Sequence, residues 1–167
     1  MKRSIGEWAI NRAPERHLYG YAFMHTSDGR FLVLKREGEG WVLPGGPAES
    51  GELAVSACMS HALAATGITV TPHGILTVDH PSACTDIGGF REAVFIIFDC
   101  GPYDNNPDQY VRLDVDHYRD HRWVTAEDMA EISTGSQQRR LTAALTALRT
   151  GTVQYLNNGR PATAAAP

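Results

Sequence analysis

Residues 45 to 68 read Gly45-Gly46-Pro47-Ala48-Glu49-Ser50-Gly51-Glu52-Leu53-Ala54-Val55-Ser56-Ala57-Cys58-Met59-Ser60-His61-Ala62-Leu63-Ala64-Ala65-Thr66-Gly67-Ile68. The stretch divides into a glycine-bearing approach and an alanine-rich body. Alanine and other helix formers dominate from Glu52 to Thr66, which predicts a helix there, with Ser50 as its N-cap and Gly67 as the residue that ends it. The approach, Pro44-Gly45-Gly46, stops a short strand at Trp41-Val42-Leu43. Its glycines permit close approaches that side chains would block, so a ligand or the following helix fits against it.

Upstream, Leu18 to His25 and Phe31 to Lys35 are rich in strand formers, and Thr26-Ser27-Asp28-Gly29-Arg30 between them carries the Asp-Gly signal of a hairpin turn. Downstream, Ile68 to Asp79 and Glu92 to Asp99 read as strands. The second of these, with Ala93-Val94-Phe95-Ile96-Ile97-Phe98 apolar on both faces, is expected to be central in its sheet. Loops follow at Pro81 to Phe90 and Gly101 to Asp108. His121-Arg122-Trp123-Val124 suggests a last strand, Ala126 to Ile132 a short helix, and Ser136 to Thr150 a longer one with Leu141, Leu145 and Leu148 at helical spacing. Strands first, a helix in the middle and helices last imply an α/β (α+β) fold, a mixed β-sheet covered by helices.

A chain of 167 residues with 43% apolar content holds one full core and is short for two. The expectation is a single domain over residues 1–156, followed by a small, polar, proline-bounded tail, 157–167, that frays. Net charge is -4, and the 15 Lys and Arg residues are scattered, which gives no basic stripe and argues against long nucleic acid as a partner. No apolar run reaches the length of a membrane span, and the first residues, with no apolar stretch after them, give no support to the expectation of a secretory signal. Three cysteines, Cys58, Cys84 and Cys100, make neither an even disulfide set nor a metal pair. Reduced thiols in a cytoplasmic setting are expected, with Cys58 and Cys100 as small buried apolar residues.

The quoted stretch resembles the Nudix box with its centre rewritten. That family's pattern is a glycine, five residues, a glutamate, seven residues, then Arg-Glu-apolar-x-Glu-Glu-x-Gly-apolar. Gly46, Glu52, Ala62, Gly67 and Ile68 fit at their spacings, whereas Ser60-His61 stands for Arg-Glu and Ala64-Ala65 for Glu-Glu. The resemblance covers roughly Leu18 to Thr150 and implies a mixed sheet sandwiched between helices, a phosphorylated small-molecule ligand such as a nucleoside diphosphate derivative, and the homodimers common in the family. In the family, the box glutamates gather Mg²⁺ or Mn²⁺ to activate water. Magnesium needs hard oxygen ligands, which the methyls of Ala64 and Ala65 do not supply, and loss of the ion removes several kcal/mol of transition-state stabilisation. The expectation is that no cofactor is required, with weak Mg²⁺ binding through Glu49 and Glu52.

Four residues are candidates for chemistry. Glu52 holds the family's position, and its plainer role is to brace the loop by accepting backbone N–H groups near the helix start. His61 replaces a ligand glutamate, and an imidazole acts as a base near neutral pH without metal. His117 and His121 lie among carboxylates in Asp114-Val115-Asp116-His117-Tyr118-Arg119-Asp120-His121-Arg122-Trp123. That segment is similar to the one in GDP-mannose mannosyl hydrolases, a Nudix branch that uses a loop histidine before an Arg-Trp as base; its plainer reading is a solvated charged loop. For recognition, Arg36 and Lys35 are candidates for phosphate contact, Trp41 and Phe90 for stacking, and Gly45 and Gly46 for close backbone approach. His80 and Asp86 are placed as neighbours of the same cleft.

Three functions follow. The first is a Nudix-type hydrolase of altered mechanism with a histidine base. The second is a catalytically inactive ligand-binding or partner-binding module. The third is ordinary Mg²⁺-dependent hydrolysis with ligands relocated to Glu49, Glu52 and Glu92 or Asp116.

Overall fold

The computed structural model describes residues 16–81, 92–104 and 106–162. Phe90, Cys84, Asp86 and most of the Pro81 to Phe90 loop lie outside the described residues, as do positions 1–15 and 163–167. Nine strands and three α-helices are described: β1 Arg16–Phe23, β2 Phe31–Arg36, β3 Gly40–Val42, β4 Gly45–Pro47, α1 Ala54–Thr66, β5 Gly74–Asp79, β6 Glu92–Asp99, β7 Tyr118–Val124, α2 Met129–Ile132, α3 Gly135–Thr150, β8 Gln154–Asn157 and β9 Arg160–Pro161.

The strands form two sheets. One has six strands in the order β4-β1-β6-β5-β8-β9, and the other has three in the order β3-β2-β7. The larger is mixed: β1 runs parallel to β6 and antiparallel to β4, while β5 runs antiparallel to β6 and parallel to β8. As its two apolar faces predict, β6 is interior, flanked by β1 and β5.

Period-two alternation sorts the side chains into two cores. Leu32 and Leu34 of β2 join Ala22 and Met24 beneath α1, where they meet Ala54, Cys58, Ala62 and Ala65. Phe31 and Val33, one residue out of phase, join Phe23 and Ile97 under α2 and α3, against Met129, Ile132, Leu141 and Ala144. Helices therefore cover both sides of the strands, which is the sandwich the family resemblance implies. The rings of Phe23 and Phe31, both fully buried, stack with centroids 4.9 Å apart and tie the two sheets together. Truncating either to Ala removes contact from both sheets and is worth about 3–5 kcal/mol.

Several expectations are corrected. The Asp-Gly turn forms and closes a short hairpin, with Thr26 N–H on the Arg30 carbonyl and Leu32 N–H on the Met24 carbonyl, both at 2.9 Å, but the pairing does not run on along β1 and β2. Beyond one bridge at His25 and Phe31 they part into different sheets, because β1 pairs along its whole length with β6 and, at Tyr19 to Tyr21, with β4 instead. Ser50 does not cap α1. The N-cap is Leu53 in extended conformation with no side-chain bond, because Glu52 closes the preceding loop on the Glu49 N–H at 2.8 Å and delays the helix to Ala54. Gly67 ends it as expected, in the left-handed conformation at φ 71°, its N–H on the Leu63 carbonyl. Gly45 and Gly46, after Pro44, are already strand residues of β4, paired with Tyr21 and Gly20 of β1. Asn157, expected to begin a fraying tail, ends β8, in which Leu156 is buried, and β9 follows at Arg160–Pro161, paired antiparallel with β8.

Candidate functional site

The odd residues of β1 and β6 that precede the second core, Tyr19, Tyr21, Ala93 and Phe95, form a row on the larger sheet. The row leads into a cleft of about 370 Å³ between the larger sheet, β3 and α3, in which Tyr21 and Phe95 meet Glu39, Gln137 and Arg140. Aromatic faces beside a few polar groups are the usual make-up of a small-molecule site.

Arg140 is the anchored member of this wall. Its Nε donates to Asp79 Oδ2 at 2.7 Å, and its guanidinium carbon lies 4.4 Å from the Phe95 ring centroid. Asp79 has no exposed surface, so the pair is held with little competition from water. Gln137 is fixed by its amide N–H on the Trp41 carbonyl. Glu39 pairs with Arg36 at 3.4 Å. Burial raises the Tyr21 phenol well above the ordinary tyrosine range, so it stays protonated at neutral pH.

The box segment lies elsewhere on the sheet. Gly20 of β1, opposite Gly46 of β4, lets α1 settle directly on the strand, since a Cβ there would come within 1.9 Å of the Ala54 carbonyl oxygen. Gly46 accepts the His61 ring in the same way, and His61 Nε2 lies 2.9 Å from the Pro47 carbonyl oxygen. Because a carbonyl only accepts, Nε2 must carry the proton, and Nδ1 is then the lone-pair nitrogen of neutral His61. Glu52 braces the loop, as its plainer reading has it. Ala64 is exposed and Ala65 is 3% exposed.

The family's divalent ion does not fit the donor set at the box helix. Positions 64 and 65 offer methyl groups, position 61 an imidazole turned to a carbonyl, and Glu52 is spent on a backbone N–H. The acids of a relocated set are not gathered either: Glu92 pairs with Arg16 at 2.6 Å. No group of three or more His, Cys, Asp or Glu able to hold a metal occurs among the described residues.

The segment with the other two histidines runs past the end of α1, through Arg112 N–H on the Thr66 carbonyl and Asp114 N–H on the Ala65 carbonyl. His117 Nδ1 contacts Asp114 Oδ2 at 2.7 Å, and this bond holds the Asp114 carboxyl below the usual carboxylate range. His121 is a strand residue of β7, since that strand starts at Tyr118. Its Nε2 contacts Asp108 Oδ1 at 2.8 Å, and it opens into a separate groove of about 470 Å³ beside Arg122 and Asp128. Neither His61, His117 nor His121 lines the aromatic cleft.

Of the residues expected to bind substrate, Trp41 is clasped by Lys35 Nζ and Arg122, 5.7 and 5.1 Å from its ring, and it contributes a carbonyl rather than a stacking face. Arg36 reaches the cleft only through Glu39, and Gly45 and Gly46 serve backbone and ring packing. His80 meets Tyr155 edge-on. Sequence reading missed Tyr21, Phe95, Gln137 and Arg140. The alternation Tyr19-Gly20-Tyr21 in a strand was the available signal, while Arg140 and Gln137 sat unmarked beside the apolar stripe of α3. Cys58 and Cys100 are free and buried, as expected. The Cys100 thiol is pushed far up by its hydrogen bond with Cys58 and by burial, so Cys58 faces another thiol and makes no pair with His61.

The NUDIX domain matches residues 16–145, and the chain belongs to that family. No curated protein matches it. Among solved structures, a MutT protein from Methanosarcina mazei Go1 is 24% identical with a TM-score of 0.58, covering 72% of this chain and 85% of its own. An ADP-ribose pyrophosphatase from Streptococcus suis 89-1591 is 14% identical at 0.59, covering 84% and 98%. A UDP-X diphosphatase is 13% identical at 0.63, covering 93% and 76%. These likenesses establish the shared fold.

Proposed function

We propose that this Nudix domain is a ligand-binding module that holds a nucleoside diphosphate derivative in the aromatic cleft without cleaving it by the family's metal chemistry. One observation carries the reading: the cleft is fully built, with Arg140 pinned over Phe95, while none of the box positions 61, 64 and 65 offers a carboxylate. A base or sugar ring stacks against such a wall, and the guanidinium gives donors to its acceptors. The proteins of the same fold named for ADP-ribose and UDP compounds supply the ligand class to try first. The module is taken as cytoplasmic, with a small phosphorylated molecule as its partner.

A second reading, hydrolysis with a histidine base, is favoured by the His61 tautomer, whose Nδ1 is available to take a proton from water.

A panel of ADP-ribose, UDP-sugars, dinucleotides and prenyl diphosphates, incubated with Mg²⁺ and again with chelator, separates the two. A ligand-induced rise in melting temperature without product by mass spectrometry is the expected result. Chelator-resistant product that disappears in His61→Ala would replace the first reading by the second.

A further inference from the structure

We infer that Asp79 is a positioning residue for the aromatic cleft and that the turn of the β8–β9 hairpin acts on the cleft through it, without touching ligand; this rests on the cleft being where ligand binds. Asp79 ends β5 with no exposed surface. A carboxylate so placed is costly unless its acceptor sites are filled. Two donors fill them from different elements: Arg140 Nε of α3 at 2.7 Å, and the Gly159 N–H of the β8–β9 turn at 3.1 Å to each oxygen.

The turn is locked in turn by α3. Arg139, beside Arg140, donates through Nε and Nη2 to the Asn158 carbonyl at 3.1 and 2.9 Å. A Cβ on Gly159 would stand 2.6 Å from the Ser136 carbonyl oxygen and 2.8 Å from Arg139 Cβ, at a φ of +74° that disfavours other residues. Hydrogen bonds thus run without interruption from the hairpin turn through a buried acid to the guanidinium over Phe95. Neither Asp79 nor Gly159 lines the cleft; both act through Arg140, by denying it other rotamers and so lowering the ordering cost of binding.

The test uses the full chain. Exchange of the Arg140 Nε–H with water is followed by ¹⁵N NMR without ligand, and ADP-ribose and UDP-glucose are titrated by calorimetry. The wild-type Nε–H is expected to be protected. In Asp79→Asn, and in Gly159→Ala, which leaves the buried acid intact should the first variant not fold, exchange accelerates and affinity falls about tenfold, the loss of one charge-assisted bond. Rapid exchange in the wild type, or unaltered exchange in Gly159→Ala, would overturn the relay. Faster exchange with unaltered affinity would overturn the positioning role. A wild type that binds neither nucleotide would sink the cleft reading and the turn's effect on binding with it, while the exchange rates still decide whether the relay exists.

Discussion

The imidazole of His61 rests on Gly46: a Cβ at that glycine would stand 2.7 Å from the ring Cγ, and the ring's Nε2 meets the neighbouring Pro47 carbonyl at 2.9 Å. The helix that carries catalytic carboxylates in the family is here docked to its own approach loop by a histidine.

Gly46→Ala should therefore displace the ring and break its bond, costing about 1–3 kcal/mol, as overpacking does. In a His61→Ala background the same change should cost almost nothing. Denaturant unfolding of the four proteins in this cycle measures the coupling; additive effects would show that the ring and the glycine are independent.

Restoring acids separates the box positions. Ala64 is exposed, so Ala64→Glu should alter stability by less than about 0.5 kcal/mol. Ala65 is 3% exposed beneath the Asp114 segment, and a carboxylate there should cost more than about 3 kcal/mol. The double variant His61→Glu, Ala64→Glu should gain a melting-temperature rise with Mn²⁺ that the wild type lacks.

Alkaline pH should unfold the protein through groups held neutral. The Cys100 thiol is raised by its bond to Cys58 and by burial, Tyr21 is raised by burial, and burial pushes Tyr103 up to about 12. The unfolded chain releases these protons first, so it binds fewer than the native state once pH exceeds ordinary thiol values. Stability is complete below about pH 8.5 and declines above it as pH rises toward the native values. Melting temperature followed from pH 7 upward checks the sign, and Cys58→Ala should soften the decline.

How much of this was legible follows from where each signal lives. The strand at Glu92 to Asp99, the stop at Gly67 and the buried cysteines are local consequences of pattern, and they stand. The parting of β1 from β2 was not legible, because an Asp-Gly turn specifies its own few residues and not which sheet each arm joins. The cleft was missed for the same reason. Arg140 matters through Asp79, Phe95 and Gly159, which are distant in sequence and share no motif. Spacing alone singles out His61 in the box, and spacing does not report that its Nε2 is spent on the Pro47 carbonyl.

Ser50 offers a simple check on that lesson. With no capping bond to lose, Ser50→Ala should shift stability by less than about 0.5 kcal/mol. Glu52→Ala, which frees the Glu49 N–H, should cost about 0.5–1.5 kcal/mol. Unfolding of both variants decides whether the loop or the cap governs the start of α1.

The parallel pairing of β1 with β6 joins Arg16–Phe23 to Glu92–Asp99. During synthesis the first strand must wait, unpaired on that edge, until its neighbour has left the ribosome. Such long-range closure makes assembly slow, and it gives the nascent chain an interval in which β1 is open to chaperones and to other strands.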